Sequence, residues 1–125
     1  MQLFWICAGG AVGTAARYLL TLWANDRFGA SFPYGTLAVN LIGCFLISIV
    51  VQAAAAGEWP ATLRLALVTG VLGGFTTYSA FNHETLRLLA QGNNGLALTY
   101  VAATLAGGLL SGWLGLTVAR VLLAR

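Results

Sequence analysis

The sequence predicts an all-α membrane protein. It reads as one four-span transmembrane domain over residues 1–125, with the third helix broken at mid-membrane and two copies paired as an antiparallel, dual-topology homodimer. Three observations carry this. The chain is 59% hydrophobic and only 7% charged, with a mean hydropathy of +0.85, whereas soluble domains carry about 25% charged residues. Four apolar runs, at about 3–23, 35–56, 61–90 and 96–123, each reach the roughly 20 residues that a bilayer core about 30 Å thick demands. Finally, there is no lysine, and the arginines divide evenly: Arg64, Arg120 and Arg125 fall on the side of the termini, and Arg17, Arg27 and Arg87 on the other. Orientation follows an excess of Lys/Arg on one side, so a chain without that excess is expected to insert both ways. An antiparallel pair then brings two broken helices together at the midplane, as inverted repeats do in transporters.

In the first run Gly9, Gly10, Gly13, Ala16 and Leu20 recur at three-to-four spacing, a stripe that lets membrane helices approach closely. Trp5, Tyr18 and Trp23 lie toward its ends, where interfacial aromatics belong. The N-terminus carries no positive charge ahead of its apolar stretch, which argues against a cleaved signal peptide. A polar loop is expected over 25–34, closed by Pro33. In the second run Thr36, Asn40, Gly43, Cys44 and Ser48 share one helical face, and a short loop over 57–60 follows.

The third run contains Gly73-Gly74-Phe75-Thr76-Thr77-Tyr78-Ser79-Ala80-Phe81, an odd choice for a lipid-facing segment. Glycine loses the most freedom on ordering, and Ser and Thr side chains compete for backbone groups. Non-helical backbone at membrane depth survives only inside protein or beside a water-filled cavity. A break near 73–78 at a functional site is therefore expected. The Gln91-Gly92-Asn93-Asn94-Gly95 turn leads to a fourth run that places Tyr100, Thr104, Gly107, Gly108 and Ser111 on one face.

Several residues bear on chemistry. The Asn40 amide is costly in hydrocarbon, and two roles are open to it: a helix-to-helix hydrogen bond or a place on an ion pathway, with Thr36 one turn below. Tyr78 and Phe81 project from one face just after the break. They either pack or offer positive ring edges to a small anion, held weakly enough to leave again. Glu84 and Arg87, three apart, suit an ion pair along the helix. Arg17 either snorkels or gives a vestibule positive potential. The break leaves carbonyls without helical partners, and such carbonyl ends can coordinate a cation.

Other classes find no support. There is no basic run with interleaved aromatics for nucleic acid. Cys7 and Cys44 read as inert buried thiols, and no Cys/His cluster has zinc spacing. His83, the one histidine, has no partner carboxylate in a readable triad, so the chain is not expected to be an enzyme.

The stretch over 73–81 resembles the GGxTTFSTF signature of the CrcB/Fluc fluoride channels, and Pro33-Tyr34-Gly35-Thr36-Leu37-Ala38-Val39-Asn40-Leu41-Ile42-Gly43 is similar to that family's PxGTLxxNxxG segment. The early Gly-rich run ending in Ala16-Arg17-Tyr18 is similar too, so the match covers essentially the whole chain. The resemblance implies an antiparallel homodimer with two fluoride pores in the inner or plasma membrane of a prokaryote, passively exporting toxic cytoplasmic fluoride. It implies a central structural sodium ion held by the backbone carbonyls of Gly73 and Thr76. It puts the pore asparagine at Asn40, the two pore aromatics at Tyr78 and Phe81, a polar track at Thr36, Tyr100, Thr104 and Glu84, and the vestibule arginine at Arg17; Ser79, within the signature, joins the fluoride pathway. Tyr78 departs from the family's usual phenylalanine and adds a hydroxyl. Ala80 and Asn82 replace common hydroxyl residues, and Gly108 stands where some relatives carry serine.

Fluoride is small and tightly hydrated, so a pore must replace its water with donors, which Asn40, the hydroxyls and the ring edges can supply. The alternatives are a proton-coupled exporter of the small multidrug-resistance type and a nonconducting assembly subunit. The first wants an acidic residue in the membrane interior; the first run has none and Glu84 lies well along the third. The second needs neither Asn40 nor the break.

Overall fold

Prolines and glycines divide the chain. Pro33 and Pro60 stand just ahead of helices, where a missing N–H breaks no helical hydrogen bond. Gly29 and Gly92 take positive φ in turns, a region open chiefly to glycine. The computed structural model describes residues 1–124, and these form helices without a strand; Arg125, counted above in the charge balance, lies outside them. Helices α1 (Gln2–Phe28), α2 (Tyr34–Ala56) and α4 (Asn94–Leu123) are each long and apolar enough to cross a membrane. Between α2 and α4 the helix comes in two parts. Part α3a covers 61–75, made of Ala61–Leu65, a π-helical Ala66–Leu72 and Gly73–Phe75. Part α3b is Tyr78–Ala90.

Helix α1 continues through Asn25, Asp26, Arg27 and Phe28, residues expected in a loop. Four polar or bulky residues do not stop a helix that has a definite end: Gly29, at φ 80, donates its N–H to the Asn25 carbonyl at 2.9 Å. The extension leaves Tyr18 exposed in the middle of α1 rather than near its end.

The break also lies elsewhere than the glycines suggest. Gly73 is helical, with φ −64 and ψ −37, while Thr76 (φ −82, ψ 158) and Thr77 (φ −154, ψ 118) are extended. The glycines of this region serve close approach instead. A Cβ on Gly74 would stand 2.6 Å from the Gly10 carbonyl of α1, and one on Gly13 would overlap the Val71 carbonyl. Helix α1 therefore packs backbone against backbone on α3a, the contact that small-residue stripes permit.

Helix α2 packs chiefly on α4, where the Ser111 hydroxyl donates to the Leu41 carbonyl at 2.9 Å. The apolar core lies at one end, where Phe81 and Leu88 of α3b meet Ala97 and Tyr100 of α4, joined by Phe32, Leu37 and Val101. Neighbouring rings run through it in an unbroken series, Trp23–Phe28–Tyr34–Phe32–Tyr100–Phe81–Tyr78, with centroids 4.8–5.8 Å apart. Such spacings are those of attractive aromatic pairs.

Candidate functional site

The site is built around the two extended residues. Asn40, on α2, reaches the break and exchanges two hydrogen bonds with Thr77: its Nδ2 donates to the Thr77 carbonyl at 3.0 Å, and its Oδ1 accepts the Thr77 N–H at 2.9 Å. In an uninterrupted α-helix that N–H would go to the Gly73 carbonyl, four residues back. Thr77 in turn caps α3b, its Oγ1 accepting the Ala80 N–H at 3.2 Å. That N–H would otherwise go to the Thr76 carbonyl. Side chains have thus taken the donors that a continuous helix would give to Gly73 and Thr76.

Those are the two carbonyls on which the resemblance puts sodium, and the donor set suits a hard cation. Unwound carbonyls at half-helix ends are a recurring Na⁺ ligand. A Cβ on Gly73 would find nothing closer than the Val68 carbonyl at 3.7 Å, so its surroundings are open. The Thr76 carbonyl already draws positive charge, accepting from Arg17 Nη1 at 3.4 Å. Arg17 is half-buried and turned inward; it does not snorkel away.

A cavity of about 340 Å³ opens beside the break, lined by Asn40, Gly73, Thr76, Tyr78, Phe81 and Thr104 among others. Thr77 and Cys44 also border it, and the rest of its wall is apolar. Thr104 borders it, but Thr104 Oγ1 itself is buried, with no hydrogen-bond partner among the described residues, an arrangement that costs about 1–3 kcal/mol. Asn40 keeps its second amide N–H beyond the bond to Thr77. Tyr78 and Phe81 meet edge-on, 5.6 Å between centroids, and Tyr78 is 76% exposed in the isolated chain.

Behind Phe81 lies a polar knot. Glu84 accepts from Thr36 Oγ1 at 2.8 Å and from the Tyr100 hydroxyl at 2.7 Å, and the Tyr100 ring stacks edge-on against Phe81 at 5.2 Å. The pairing of Glu84 with Arg87 suggested by their spacing is not what the carboxylate adopts: its oxygens face α2 and α4, and Arg87 donates to the Ala30 carbonyl at 3.4 Å. Two neutral donors at short range, in a partly buried place, hold the carboxylate more firmly than an exposed helix pair worth a few tenths of a kcal/mol.

The expected pathway residues divide between two hollows. Asn40, Tyr78, Phe81 and Thr104 share the first. Ser79 and Arg17 face a second, about 550 Å³, together with Thr36 and Glu84. Tyr100 lines neither and is completely buried. Thr77 borders both. The sequence reading gave Thr77 no role, although threonine is a favoured N-cap and stands immediately before the resumed helix. Cys44 lines the first hollow, and Cys7 is exposed in the isolated chain rather than buried. No group of three or more metal-ligating side chains occurs among the described residues.

Long apolar helices with large exposed hydrophobics, and polar groups gathered around one helix interruption, define an all-helical membrane protein. A family model described as "CrcB-like protein, Camphor Resistance (CrcB)" matches residues 4–116. The chain belongs to the CrcB family, as its two signatures implied. A protein of Sorangium cellulosum (strain So ce56) named "Fluoride-specific ion channel FluC" is 56% identical over 122 residues, covering 97% of this chain and 96% of its own length. Proteins of the same name from Acidobacterium capsulatum and Roseiflexus sp. (strain RS-1) are 42% and 46% identical, over 99% and 98% of this chain and 100% and 99% of theirs.

Proposed function

We propose that this protein is a fluoride-selective channel that lets cytoplasmic fluoride leave down its gradient across a prokaryotic cell membrane, and that it works as an antiparallel, dual-topology homodimer. On this reading α3a and α3b together make a fourth span, interrupted at mid-membrane. The observation that carries the proposal is the cavity beside the helix interruption, where Asn40, with a second amide N–H beyond its bond to Thr77, meets Tyr78 and Phe81. An amide donor beside ring edges is suited to replace part of the water of a small anion, and the mostly apolar wall offers no full charge that would trap it. The names of full-length relatives support the same reading.

The cavity and Tyr78 are open on the isolated chain, so a second copy is needed to enclose the path. Arg64 and Arg120 at one end against Arg27 and Arg87 at the other leave orientation weakly specified, which favours pairing in opposite senses. Sodium at the Gly73 and Thr76 carbonyls would supply a fixed positive charge that ties the two interrupted helices together. Asn40 and Thr77 hold the N–H groups that a continuous helix would give to those carbonyls, and the Thr76 carbonyl has a second lone pair beyond its bond to Arg17. On this reading the residues bind and orient an ion.

The deciding experiment is fluoride efflux from proteoliposomes, read with a fluoride electrode, with valinomycin carrying the balancing K⁺ and no proton gradient. Passive efflux is the expected result. Transport that requires a proton gradient would replace the channel with the exporter, and none at all would leave an assembly subunit.

A further inference from the structure

Phe32 belongs to the loop between α1 and α2, and it lines neither the first hollow nor the second. Its ring is nevertheless half-buried and packs on the core of Phe81, Leu88, Ala97 and Tyr100. The backbone decides where that ring goes. Pro33 has φ −80 and ψ 63, and the Tyr34 N–H donates to the Phe32 carbonyl at 2.9 Å, which is an inverse γ-turn. The pyrrolidine ring holds φ near the value this turn needs. Pro33 is itself buried, and its carbonyl accepts the Leu37 N–H of α2 at 3.1 Å. Phe32 is therefore mounted on the start of α2.

What it meets there is Tyr100. The two rings stand edge-on, 5.5 Å between centroids and 79° between planes. The same Tyr100 ring meets Phe81 at 5.2 Å, and Phe81 meets Tyr78 at 5.6 Å. Tyr100 is completely buried, and its hydroxyl donates to Glu84 at 2.7 Å, which Thr36 holds in turn at 2.8 Å. That hydrogen bond does not fix the plane of the ring. A phenol oxygen lies on the axis about which the ring turns, and this torsion is intrinsically broad. The plane is set by what packs against the ring, here Phe32 on one contact and Phe81 on another. One end of α2 thus holds Tyr100 twice, through Thr36 at the oxygen and through Phe32 at the ring.

We infer that Phe32 is a positioning residue of the ion pathway: by fixing the plane of Tyr100 it aims the Phe81 ring at the first hollow. The inference rests on the channel reading above and adds a residue that touches no ion. A ring attracts an anion at its edge and repels it at its face, so a turn of Phe81 changes how tightly the ion is held.

The test is the concentration dependence of fluoride efflux from proteoliposomes of the full chain. Phe32→Leu keeps apolar bulk but removes the ring, and is expected to shift the half-saturating fluoride concentration upward by about two- to ten-fold, the range one aromatic pair spans. Phe32→Tyr keeps the ring and should stay with wild type. A misfolded fraction lowers the maximal rate and leaves half-saturation in place, so the shift separates aiming from mere packing. On a Tyr100→Leu background the intermediary is gone, and Phe32→Leu should add no further shift. Pro33→Ala frees the turn while leaving every ring intact; a shift in the same direction is expected, which keeps the test decisive if Phe32→Leu does not fold. A conducting wild type with half-saturation unmoved in Phe32→Leu and Pro33→Ala overturns the positioning role and leaves the channel intact. So does a Phe32→Leu shift that persists in full without Tyr100, or one matched by Phe32→Tyr. A wild type that passes no fluoride overturns the channel reading and this inference with it.

Discussion

Asn40 and Thr77 hold each other by two hydrogen bonds of opposite sense, 3.0 and 2.9 Å, across 37 positions of sequence. One amide side chain imitates a peptide and replaces the helix's own partner at the interruption. Asn40→Asp keeps the acceptor for the Thr77 N–H but turns a carboxylate toward the Thr77 carbonyl. The variant is expected to lose about 1–3 kcal/mol of stability and to pass fluoride more slowly, since a negative charge now faces an anion. Thermal unfolding in detergent and electrode-read efflux measure the two effects. Unaltered efflux would put Asn40 outside the pathway.

Thr104 provides a separation of stability from transport. Its Oγ1 has no partner among the described residues, so Thr104→Val removes a desolvated group without orphaning another. Stability should hold or rise by up to about 1 kcal/mol, while fluoride efflux falls. A variant that unfolds more easily and transports normally would mean that the hydroxyl serves packing alone.

For Tyr78 the expectation is the reverse. The ring edge toward Phe81 survives in Tyr78→Phe, and only the exposed hydroxyl is lost. Efflux should be preserved or rise. Abolished efflux would make the phenol an obligatory fluoride ligand.

Gly13→Ala and Gly43→Ala probe what positions the interruption. The new methyl would overlap the Val71 carbonyl in the first and the Thr76 side-chain methyl in the second. Overpacking of this kind costs typically about 1–3 kcal/mol. The Gly13 variant should fare worse, because a backbone carbonyl has less room to yield than a threonine methyl. Equal melting temperatures for wild type and both variants would contradict the backbone-to-backbone packing of α1 on α3a.

Replacing sodium by N-methylglucamine tests the Gly73 and Thr76 carbonyls without a mutation. The expected outcome is a shift from dimer to monomer on size exclusion, or a lower melting temperature, restored by returning sodium. Behaviour independent of the cation would assign those carbonyls to another use.

Three of the apolar runs, each a single long helix, and the residues that meet at the first hollow were legible from the apolar patterning and from the signature motifs. What was not legible depended on distant partners. The double glycine drew the break to 73–78, but Gly73 and Gly74 stay helical, Gly74 lying against the Gly10 carbonyl of α1, and the helix opens at Thr76–Thr77, where Asn40 supplies the alternative hydrogen bonds. Glu84 and Arg87 have the spacing of a helix pair, yet Thr36 and Tyr100, 48 and 16 positions away, claim the carboxylate. Helix α1 outran its apolar run to Phe28 because Gly29 ends it, whatever the polarity of the four residues before.

Thr77 borders the hollow of Tyr78 and Phe81 on one side and that of Arg17 and Ser79 on the other. At that point the partition is one residue thick. For a conducting protein, so thin a septum would let an ion change compartments once the Thr77 side chain releases the Ala80 N–H, a local rearrangement rather than the rocking of whole helices. Throughput would then carry no conformational cycle, and freezing the bundle with cross-links between α1 and α2 should leave it running.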